Sequence, residues 1–331
     1  DGLPFQPVII ATSSIALQNA IVREYLPFLS DALSDDPHIT TPILAALRKG
    51  KSHYVCDERL RQHLQQRPNG KNAAQKRDLY SLRNVLDLDE TQKLSSFDRE
   101  RVCVPPFCDC KHPDCRYRRH LTECGQKQYL FQICNQNLWL ADCMHRESGL
   151  KPILPDACTV IVDEAHKLPE TAREMFGLKL TAGDIQSLIR QLRTERYLLA
   201  ADVLTDTAGP LLRKLTAPRE ETGPIDEYLR LLTLPALSLP VIVKQIGRLL
   251  TPQGRRQLED LNNAIALFNS QRSNMIFYTA EDDEGGTMLC ATVSDLNEQM
   301  RRTLWRPEHA FVLASGTLAV GDDFHRFRTQ V

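Results

Sequence analysis

The sequence predicts an α/β fold built on a parallel sheet, and three short apolar segments carry that prediction. Residues 8–11, 158–162 and 310–314 are rich in apolar side chains, many of them β-branched, as buried strands are. Each segment ends in a polar turn, and the first turn leads into a stretch with helical spacing of apolar residues. Because functional groups of parallel sheets gather at the carboxyl ends of strands, we expect the site at these turns.

Long gaps separate the three strands, and their sequences differ in character. Residues 56–124 hold six of the ten cysteines, whereas residues 171–270 are rich in Leu, Arg and Glu with apolar spacing of three and four. A compact parallel sheet does not need such long connections, so we expect a Cys-rich insert and a helical insert. The pair Gly285-Gly286, between two apolar segments, predicts a hairpin after the helical insert.

The composition excludes several classes of protein. With 331 residues, 42% hydrophobic and 25% charged, the chain has globular composition and a length typical of about two domains. The formal net charge of -1 favours no class of partner by itself. No apolar run approaches the roughly 18 residues that cross a membrane, and no signal peptide is apparent. Ten cysteines in such a chain indicate a reducing compartment.

The second strand ends in the most informative motif of the chain, Asp163-Glu164-Ala165-His166. Hydrolysis of a nucleoside triphosphate needs a carboxylate that holds Mg²⁺, usually through water, and a second group that polarises the attacking water. Asp163 fits the first role and Glu164 the second, and His166 could relay the state of the site to a neighbour. An acidic surface turn is the simpler alternative, but the preceding apolar strand favours a nucleotide site.

The cysteines of the first insert predict a metal centre. Cys103, Cys108, Cys110 and Cys115 are separated by four, one and four residues, and Cys56 lies upstream. Four thiolates suit zinc or an iron–sulfur cluster, and the lack of paired C-x-x-C knuckles favours the cluster. The interleaved polar residues argue against buried free thiols. Because apolar residues look scarce in this insert, we expect the centre to supply much of its folding free energy.

Gly50-Lys51-Ser52 looks like the end of a phosphate-binding loop, but the rest of that pattern is missing. The pattern G-x-x-x-x-G-K-[ST] requires glycine where this chain has Ala45. Residues 43–49 look like the end of a helix rather than a strand. We therefore predict that this segment is not the nucleotide loop.

Two segments predict contacts with nucleic acid. One mixes cations with an aromatic ring beside the cysteines, a combination that binds phosphates and stacks bases. The other is a hydroxyl-rich turn at the start of a helix, where free N–H groups can hold a phosphate. A solvated helix face and a plain N-cap are the simpler alternatives. The candidate residues are Thr12, Ser13, Ser14, Arg116, Tyr117 and Arg119.

The motifs resemble, in their order along the whole chain, those of XPD/DinG-type DEAH-box DNA helicases of superfamily 2. Gln136 stands where the family usually has His. The similar segments are residues 12–14 with Gln18 (motif Ia), 49–56 (the K-G-R-S-N-Y-x-C entry to the iron–sulfur domain), 115–117 (its last cysteine), 133–137 (V-x-N-H-x-L), 163–166 (the D-E-A-H box) and 314–318 (the S-G-T-L form of motif III).

The resemblance implies a RecA-like motor domain with two inserts. It assigns residues 1–55, 125–170 and 271–331 to the motor domain, with motif Ia, the DEAH box and motif III in that order. It assigns residues 56–124 to an iron–sulfur cluster domain and residues 171–270 to a helical Arch-type domain.

The resemblance also implies an ATP-dependent 5′-to-3′ DNA helicase that acts in DNA repair or replication and couples ATP hydrolysis to translocation along a single strand. The implied cofactors are a [4Fe–4S] cluster, ATP and Mg²⁺, and the implied partner is single-stranded or forked DNA, with no membrane. A monomer in a bacterial-type cytoplasm, associated with the nucleoid, is expected. The implied cluster ligands are Cys56, Cys103, Cys108 and Cys115, with Cys110 as the alternate for Cys108. The implied coupling residues of motif III are Ser315, Gly316 and Thr317.

The family's Walker A loop precedes motif Ia, and its second motor domain follows motif III. We therefore expect this chain to be a central fragment that, alone, binds ATP poorly and does not unwind DNA. Two alternatives stay open: a non-catalytic nucleic-acid-binding module with a zinc-stabilised Cys-rich domain, and a related ATP-dependent nuclease. Iron content separates the helicase from the zinc module.

Overall fold

The computed structural model of the protein describes residues 6–37, 42–66, 73–91, 94–106, 108, 110, 112, 114–217, 224–282, 285–306, 308–318 and 323–328. The chain divides into two units, one formed by residues 1–171 and 300–331 and the other by residues 172–299.

Strands and helices alternate along most of the first unit, and helices dominate the second. The strands are β1 Val8–Thr12, β2 Leu44–Leu47, β3 Tyr129–Asn135, β4 Thr159–Asp163, β5 Leu178–Leu180, β6 Met275–Glu281, β7 Thr287–Val293 and β8 Ala310–Ala314. The helices are α1 Ile15–Ala20, α2 Leu26–Ala32, α3 Asp57–Gln66, α4 Ala73–Ser81, α5 Ser96–Val102, α6 Arg116–Cys124, α7 Gln136–Glu147, α8 Leu168–Phe176, α9 Ala182–Thr194, α10 Leu198–Leu215, α11 Ile225–Leu231, α12 Thr233–Ile246, α13 Pro252–Ser270, α14 Leu296–Thr303 and α15 His325–Arg328.

The first unit contains the predicted parallel sheet. Its strand order is β2-β3-β1-β4-β8, and each neighbouring pair is parallel. The three strands predicted from the sequence are β1, β4 and β8, and they lie side by side. Their carboxyl ends therefore meet at one edge of the sheet, as expected for a site shared between strand ends.

The sheet also contains two strands that the sequence analysis did not identify, β2 and β3. The expectation that residues 43–49 end a helix is wrong, because residues 44–47 form β2 and pair with β3. The Leu-Ala-Ala-Leu run has high helix propensity, but hydrogen bonds to a neighbouring strand override such a preference. Ala46 of this strand is buried in the sheet.

The hydroxyl-rich turn after β1 starts a helix, as predicted. Ser14 is the N-cap of α1, and its hydroxyl accepts a hydrogen bond from the Leu17 amide at 3.2 Å. The helical path continues as one π-helical segment, Ile21–Tyr25, before α2. This cap fixes the direction in which the chain leaves the sheet edge.

The Cys-rich segment packs on an apolar core of its own, which corrects the expectation that apolar residues are scarce there. Helices α3, α4 and α5 supply part of this core, and short bridges pair Tyr54 with Asp87 and Val55 with Cys103. The core residues come from several separate stretches, so no single stretch looks apolar in the sequence. They are Val55, Leu60, Leu79, Leu82, Leu88 and Val102. The polar stretch at residues 69–72 lies outside the described residues.

The second unit combines the predicted helices with a small antiparallel sheet of order β5-β7-β6. The hairpin predicted around Gly285 joins β6 to β7. Sequence reasoning placed residues 271–299 with the motor domain, whereas here they group with the helices of this unit. The reason is that β7 pairs with β5, and its Leu289 and Ala291 enter the helical core.

Among the described residues, no single helix has the length and apolarity to cross a membrane. Taken together, α11 and α12, which are bent relative to each other, have the length and composition of a membrane-spanning segment. Tyr228 of α11 and Leu239 of α12 are fully buried in the core of the second unit.

Candidate functional site

The turn that follows β4 lies beside the turn that follows β8. Asp163 pairs with Ala314 across these parallel strands, so Ser315 is the next residue at the same edge. We call residues 163–166 the acidic turn and residues 315–317 the serine turn. The structure therefore brings together two motifs that lie about 150 residues apart in the sequence.

Glu164 has the left-handed backbone conformation, with φ of 50° and ψ of 45°. This conformation costs a residue other than glycine about 1–2 kcal/mol, so neighbouring contacts must hold it. The Lys167 amide donates to the Glu164 carbonyl at 2.9 Å. The Gln136 side chain donates to the carbonyls of Asp163 at 2.8 Å and Glu164 at 3.2 Å. These hydrogen bonds to the backbone of the turn thus set the direction of the Glu164 side chain.

Three side chains of the two turns form a closed set of polar contacts. Nδ1 of His166 lies 2.6 Å from Oγ of Ser315 and 3.1 Å from Oε2 of Glu164. The Ser315 hydroxyl also lies 3.4 Å from the same carboxylate oxygen. The side chains of His166 and Glu164 keep 35% and 39% of their surface exposed, so a ligand can reach them. A change in charge at Glu164 would therefore alter the electrostatic environment of Ser315 in the serine turn.

The remaining predicted residues of the two turns lie at the same edge. Asp163 is half-buried at the end of β4, whereas Gly316 and Thr317 are exposed. The Thr317 amide donates to Oγ of Ser315 at 3.3 Å. Thr317 therefore contacts the set through Ser315.

The hydroxyl-rich turn after β1 adjoins the acidic turn, but its three residues differ in exposure. Thr12 is fully buried and donates to the Ser14 carbonyl at 3.0 Å, so its side chain is not available to DNA. Ser13 is half-buried and lies 3.5 Å from Nζ of Lys167. Ser14 is exposed, and its hydroxyl caps α1.

The predicted ligand cysteines surround a small aromatic cluster. Cys56, Cys108 and Cys115 pack around Tyr54 and Tyr117, whose rings lie 5.3 Å apart. Cys103 follows α5, and Cys110 contacts the thiol of Cys115. All five thiols are half-buried.

Two of these thiols lie at helix N-termini. Burial raises the pKa of Cys56, and backbone N–H groups of Arg59 and Glu58 in α3 oppose that rise. Burial likewise raises the pKa of Cys115, and backbone N–H groups of α6 oppose it. Backbone donors at a helix N-terminus favour the thiolate, the form that binds metal.

The thiols do not form a preassembled site for a single ion. Within the described part of the chain, no three His, Cys, Asp or Glu side chains come together in a group that could hold one metal ion. An iron–sulfur cluster spans several atoms, so its ligands lie farther apart than those of one ion. The chemistry of the donor set, with half-buried thiols on two helix N-termini, fits a cluster held by thiolates.

The basic segment beside the cysteines has a structural role at two of its three predicted positions. Arg116 binds Asp57 at 2.5 Å and donates to carbonyls of residues 82, 83 and 85. Tyr117 is buried, with 7% of its surface exposed, so it offers no ring face to a base. Arg119 is exposed and lies 4.0 Å from Glu123. These placements correct the prediction for Arg116 and Tyr117 and leave Arg119 accessible.

An ion network that sequence reasoning missed supports the cysteine region. Nζ of Lys49, whose side chain is 2% exposed, lies 2.6 Å from Asp87 and 2.9 Å from Asp89. Asp89 also binds His53 and Arg99. Burial opposes ionisation of Asp89, but hydrogen bonds from Arg99 and Lys49 lower its pKa to about 2. In the sequence, the network is visible only as a basic run at residues 48–51 and as Asp87 and Asp89, which follow Lys49 after 38 and 40 residues.

Comparison with known proteins identifies relatives of the chain. It is 26% identical over 361 residues to the ATP-dependent DNA helicase YoaA of Escherichia coli (strain K12), a match that covers 98% of this chain and 55% of that protein. It is 24% identical over 341 residues to the 3'-5' exonuclease DinG of Bacillus subtilis (strain 168), a match that covers 97% of this chain and 33% of that protein. The chain thus spans about half the length of the first relative and a third of the second.

No family model matches the chain. A solved structure titled XPD helicase has 14% sequence identity and a TM-score of 0.46, covering 94% of this chain and 50% of that one. The homology to YoaA and DinG confirms the resemblance to XPD/DinG-like DNA helicases that the motifs predict.

Proposed function

We propose, from its relationship to the XPD/DinG-like DNA helicases, that this chain is the central part of an ATP-dependent 5′-to-3′ DNA helicase. The observation that carries the proposal is the contact between the acidic turn and the serine turn. His166 reaches Ser315 at 2.6 Å and Glu164 at 3.1 Å. A group that touches both turns is suited to report the state of a nucleotide to the rest of a motor.

The acidic turn has the residues that nucleotide hydrolysis requires. Asp163 would hold the Mg²⁺ of Mg–ATP through water at the end of β4. Glu164 would orient and polarise the attacking water, since its carboxylate is exposed and its backbone is fixed. Loss of the γ-phosphate would change the charge beside Glu164, and His166 would pass that change to Ser315.

The phosphate-binding loop would come from residues outside this sequence, together with a second motor domain. Two observations support this part of the proposal. The chain spans about half the length of its relative YoaA. Lys51, the lysine of the incomplete loop motif, donates instead to the carbonyl of Pro106 at 2.6 Å. The chain by itself would then bind ATP poorly and not unwind DNA.

The cysteine region would hold a [4Fe–4S] cluster. Its ligands would be Cys56, Cys103, Cys115 and one of Cys108 and Cys110. Cys108 packs on the aromatic cluster together with Cys56 and Cys115, which favours it, whereas Cys110 contacts the Cys115 thiol. When bound, the cluster would fix the connection between α5 and α6 by joining segments that are distant in sequence.

The DNA partner would be a single strand or a fork, bound by a monomer that acts with the chromosome in repair or replication. Ser13 and Ser14 at the start of α1 and the exposed Arg119 are the remaining candidate contacts. Ser13 lies near the residue that follows the acidic turn, because Nζ of Lys167 is 3.5 Å from its hydroxyl. A strand held at that turn would sit beside the proposed hydrolysis site.

The test is the rate of ATP hydrolysis by the whole protein in the presence of single-stranded DNA. We expect Glu164→Gln to abolish turnover while ATP still binds, because the amide keeps the shape but cannot polarise water. Glu298→Gln is the matched control, since Glu298 is exposed in the second unit and outside both turns. Turnover at the wild-type rate in Glu164→Gln would overturn the proposed role of the acidic turn.

A further inference from the structure

A buried glutamine connects the end of β3 to the acidic turn. Gln136 is 2% exposed, and Nε2 lies 2.8 Å from the Asp163 carbonyl and 3.2 Å from the Glu164 carbonyl. We infer that Gln136 is a positioning residue that holds Glu164 in the conformation required for water activation. This inference rests on the proposed function.

The contacts fix the orientation of the Gln136 amide. The Thr171 hydroxyl lies 3.1 Å from the Lys167 carbonyl and 3.4 Å from the side-chain oxygen of Gln136, so, among the residues that the structure describes, the only donor near that oxygen is on the side away from the acidic turn. The reversed amide would place its oxygen against two carbonyl oxygens, and none of these groups can donate. The NH₂ group of Gln136 therefore faces the acidic turn.

The two carbonyls that Gln136 contacts lie on either side of the Cα of Glu164. One belongs to the peptide group before this residue and the other to the peptide group after it. A single NH₂ group thus restrains both φ and ψ of Glu164. This restraint acts where it is needed, because φ is 50° and a side chain other than glycine disfavours that value. Without it, the turn would relax and the carboxylate would leave the position beside His166.

The strand that precedes Gln136 provides a control residue. Gln132 of β3 is 1% exposed, and its Nε2 donates to the carbonyl of Cys124 at 2.9 Å. Both glutamines are buried and both donate to backbone carbonyls, but Gln132 does not contact the acidic turn. Substitution of Gln132 also removes a buried NH₂ donor, and it should leave the conformation of Glu164 intact.

The experiment compares Gln136→Leu, Gln136→His and Gln132→Leu in the whole protein, with single-stranded DNA present. We expect Gln136→Leu to lower kcat for ATP by about 10- to 100-fold with little change in KM, as loss of a supporting contact does. Gln136→His keeps one ring N–H donor and should retain an intermediate kcat. Gln132→Leu should keep the wild-type kcat even if its thermal stability falls as much as that of Gln136→Leu.

Hydrogen exchange at the amides of residues 165–167 gives a readout that does not need activity. We expect faster exchange in Gln136→Leu than in Gln132→Leu, because the turn is released only in the first. If the wild-type protein does not hydrolyse ATP, the proposed function fails, and the exchange difference still tests the restraint. A wild-type kcat in Gln136→Leu, or equal exchange in the two leucine variants, would overturn the inference.

Discussion

The strand-end site and the cysteine region are held together in different ways. The acidic and serine turns follow directly from β4 and β8, whose parallel pairing places Asp163 opposite Ala314. The cysteines lie on helix ends and loops, and a separate apolar core and an ion network around Lys49 support them. The first site is positioned mainly by the pairing of two long-range strands, whereas the second has only two short backbone bridges and depends mainly on side chains from many segments.

This difference shows where each site is vulnerable. A sheet resists single substitutions, because its hydrogen bonds belong to the backbone, so changes at the strand ends should affect chemistry more than folding. The cysteine region depends on individual side chains, so changes there should affect folding and metal content first. The predictions that follow separate these two responses.

The largest effect is expected from Cys56→Ser in the whole protein. We expect loss of iron, sulfide and brown colour, together with loss of unwinding, because Cys56 would link α3 to the 103–115 segment through the proposed cluster. Limited proteolysis should cut within residues 104–115, whereas α3 should stay protected by its own apolar core. Metal and sulfide analysis after anaerobic purification measures the first effect.

Two further variants give this experiment its control and identify the third ligand. Cys158→Ser should leave iron content unchanged, because Cys158 is exposed at the start of β4, outside the cysteine region. Only one of Cys108→Ser and Cys110→Ser should lose the cluster. Stoichiometric zinc without iron or sulfide in the wild-type protein would contradict the cluster and favour a zinc-stabilised module.

A smaller effect on stability is expected from Asp89→Asn, which weakens the ion network. Lys49 would keep Asp87 as its partner, so we expect a loss on the order of 2 kcal/mol in the free energy of unfolding at pH 7. The folded pKa of Asp89 is lowered to about 2, so its contribution is complete above about pH 4 and is lost as pH falls towards 2. Urea unfolding at several pH values should show the difference between the two proteins shrinking over that interval.

The exposed pair of Arg23 and Glu90 is the control for this measurement. Its side chains keep 62% and 48% of their surface exposed at a separation of 2.6 Å. Exposed pairs contribute little, so Glu90→Gln should change the free energy of unfolding by less than about 1 kcal/mol. Equal losses in Asp89→Asn and Glu90→Gln would contradict the structural role of the network.

Sequence reasoning predicted the fold best where local pattern and tertiary structure agree. β1, β4 and β8 are apolar runs that end in polar turns, and a buried parallel sheet uses such runs. β2 was mistaken for a helix end because Ala and Leu favour helices unless a neighbouring strand supplies hydrogen bonds. The hairpin β6–β7 was predicted, but nothing local to it indicates that it packs on the helices of the second unit.

The candidate site shows the same limit at the level of side chains. The meeting of His166 and Ser315 follows from adjacent strand ends, which is where the sequence analysis expected the site. The burial of Thr12 and Tyr117 depends on neighbours from other segments, which motif spacing does not reveal. In the sequence, Gln136 stood out only as a departure from the family pattern. The groups that it contacts are backbone carbonyls, which every residue has, so no residue type at positions 163 and 164 could indicate the contact.

The central claim is that the acidic and serine turns act as one site, and a double-mutant cycle on unwinding per ATP hydrolysed tests it most directly. The variants are His166→Ala, Ser315→Ala and the combination, each in the whole protein. Because the two side chains are 2.6 Å apart, we expect the double variant to unwind no worse than either single one. That result corresponds to a coupling of about 1–3 kcal/mol. If the free-energy losses of the two single variants add in the double variant, the two turns act independently, which would contradict the claim that they form one site.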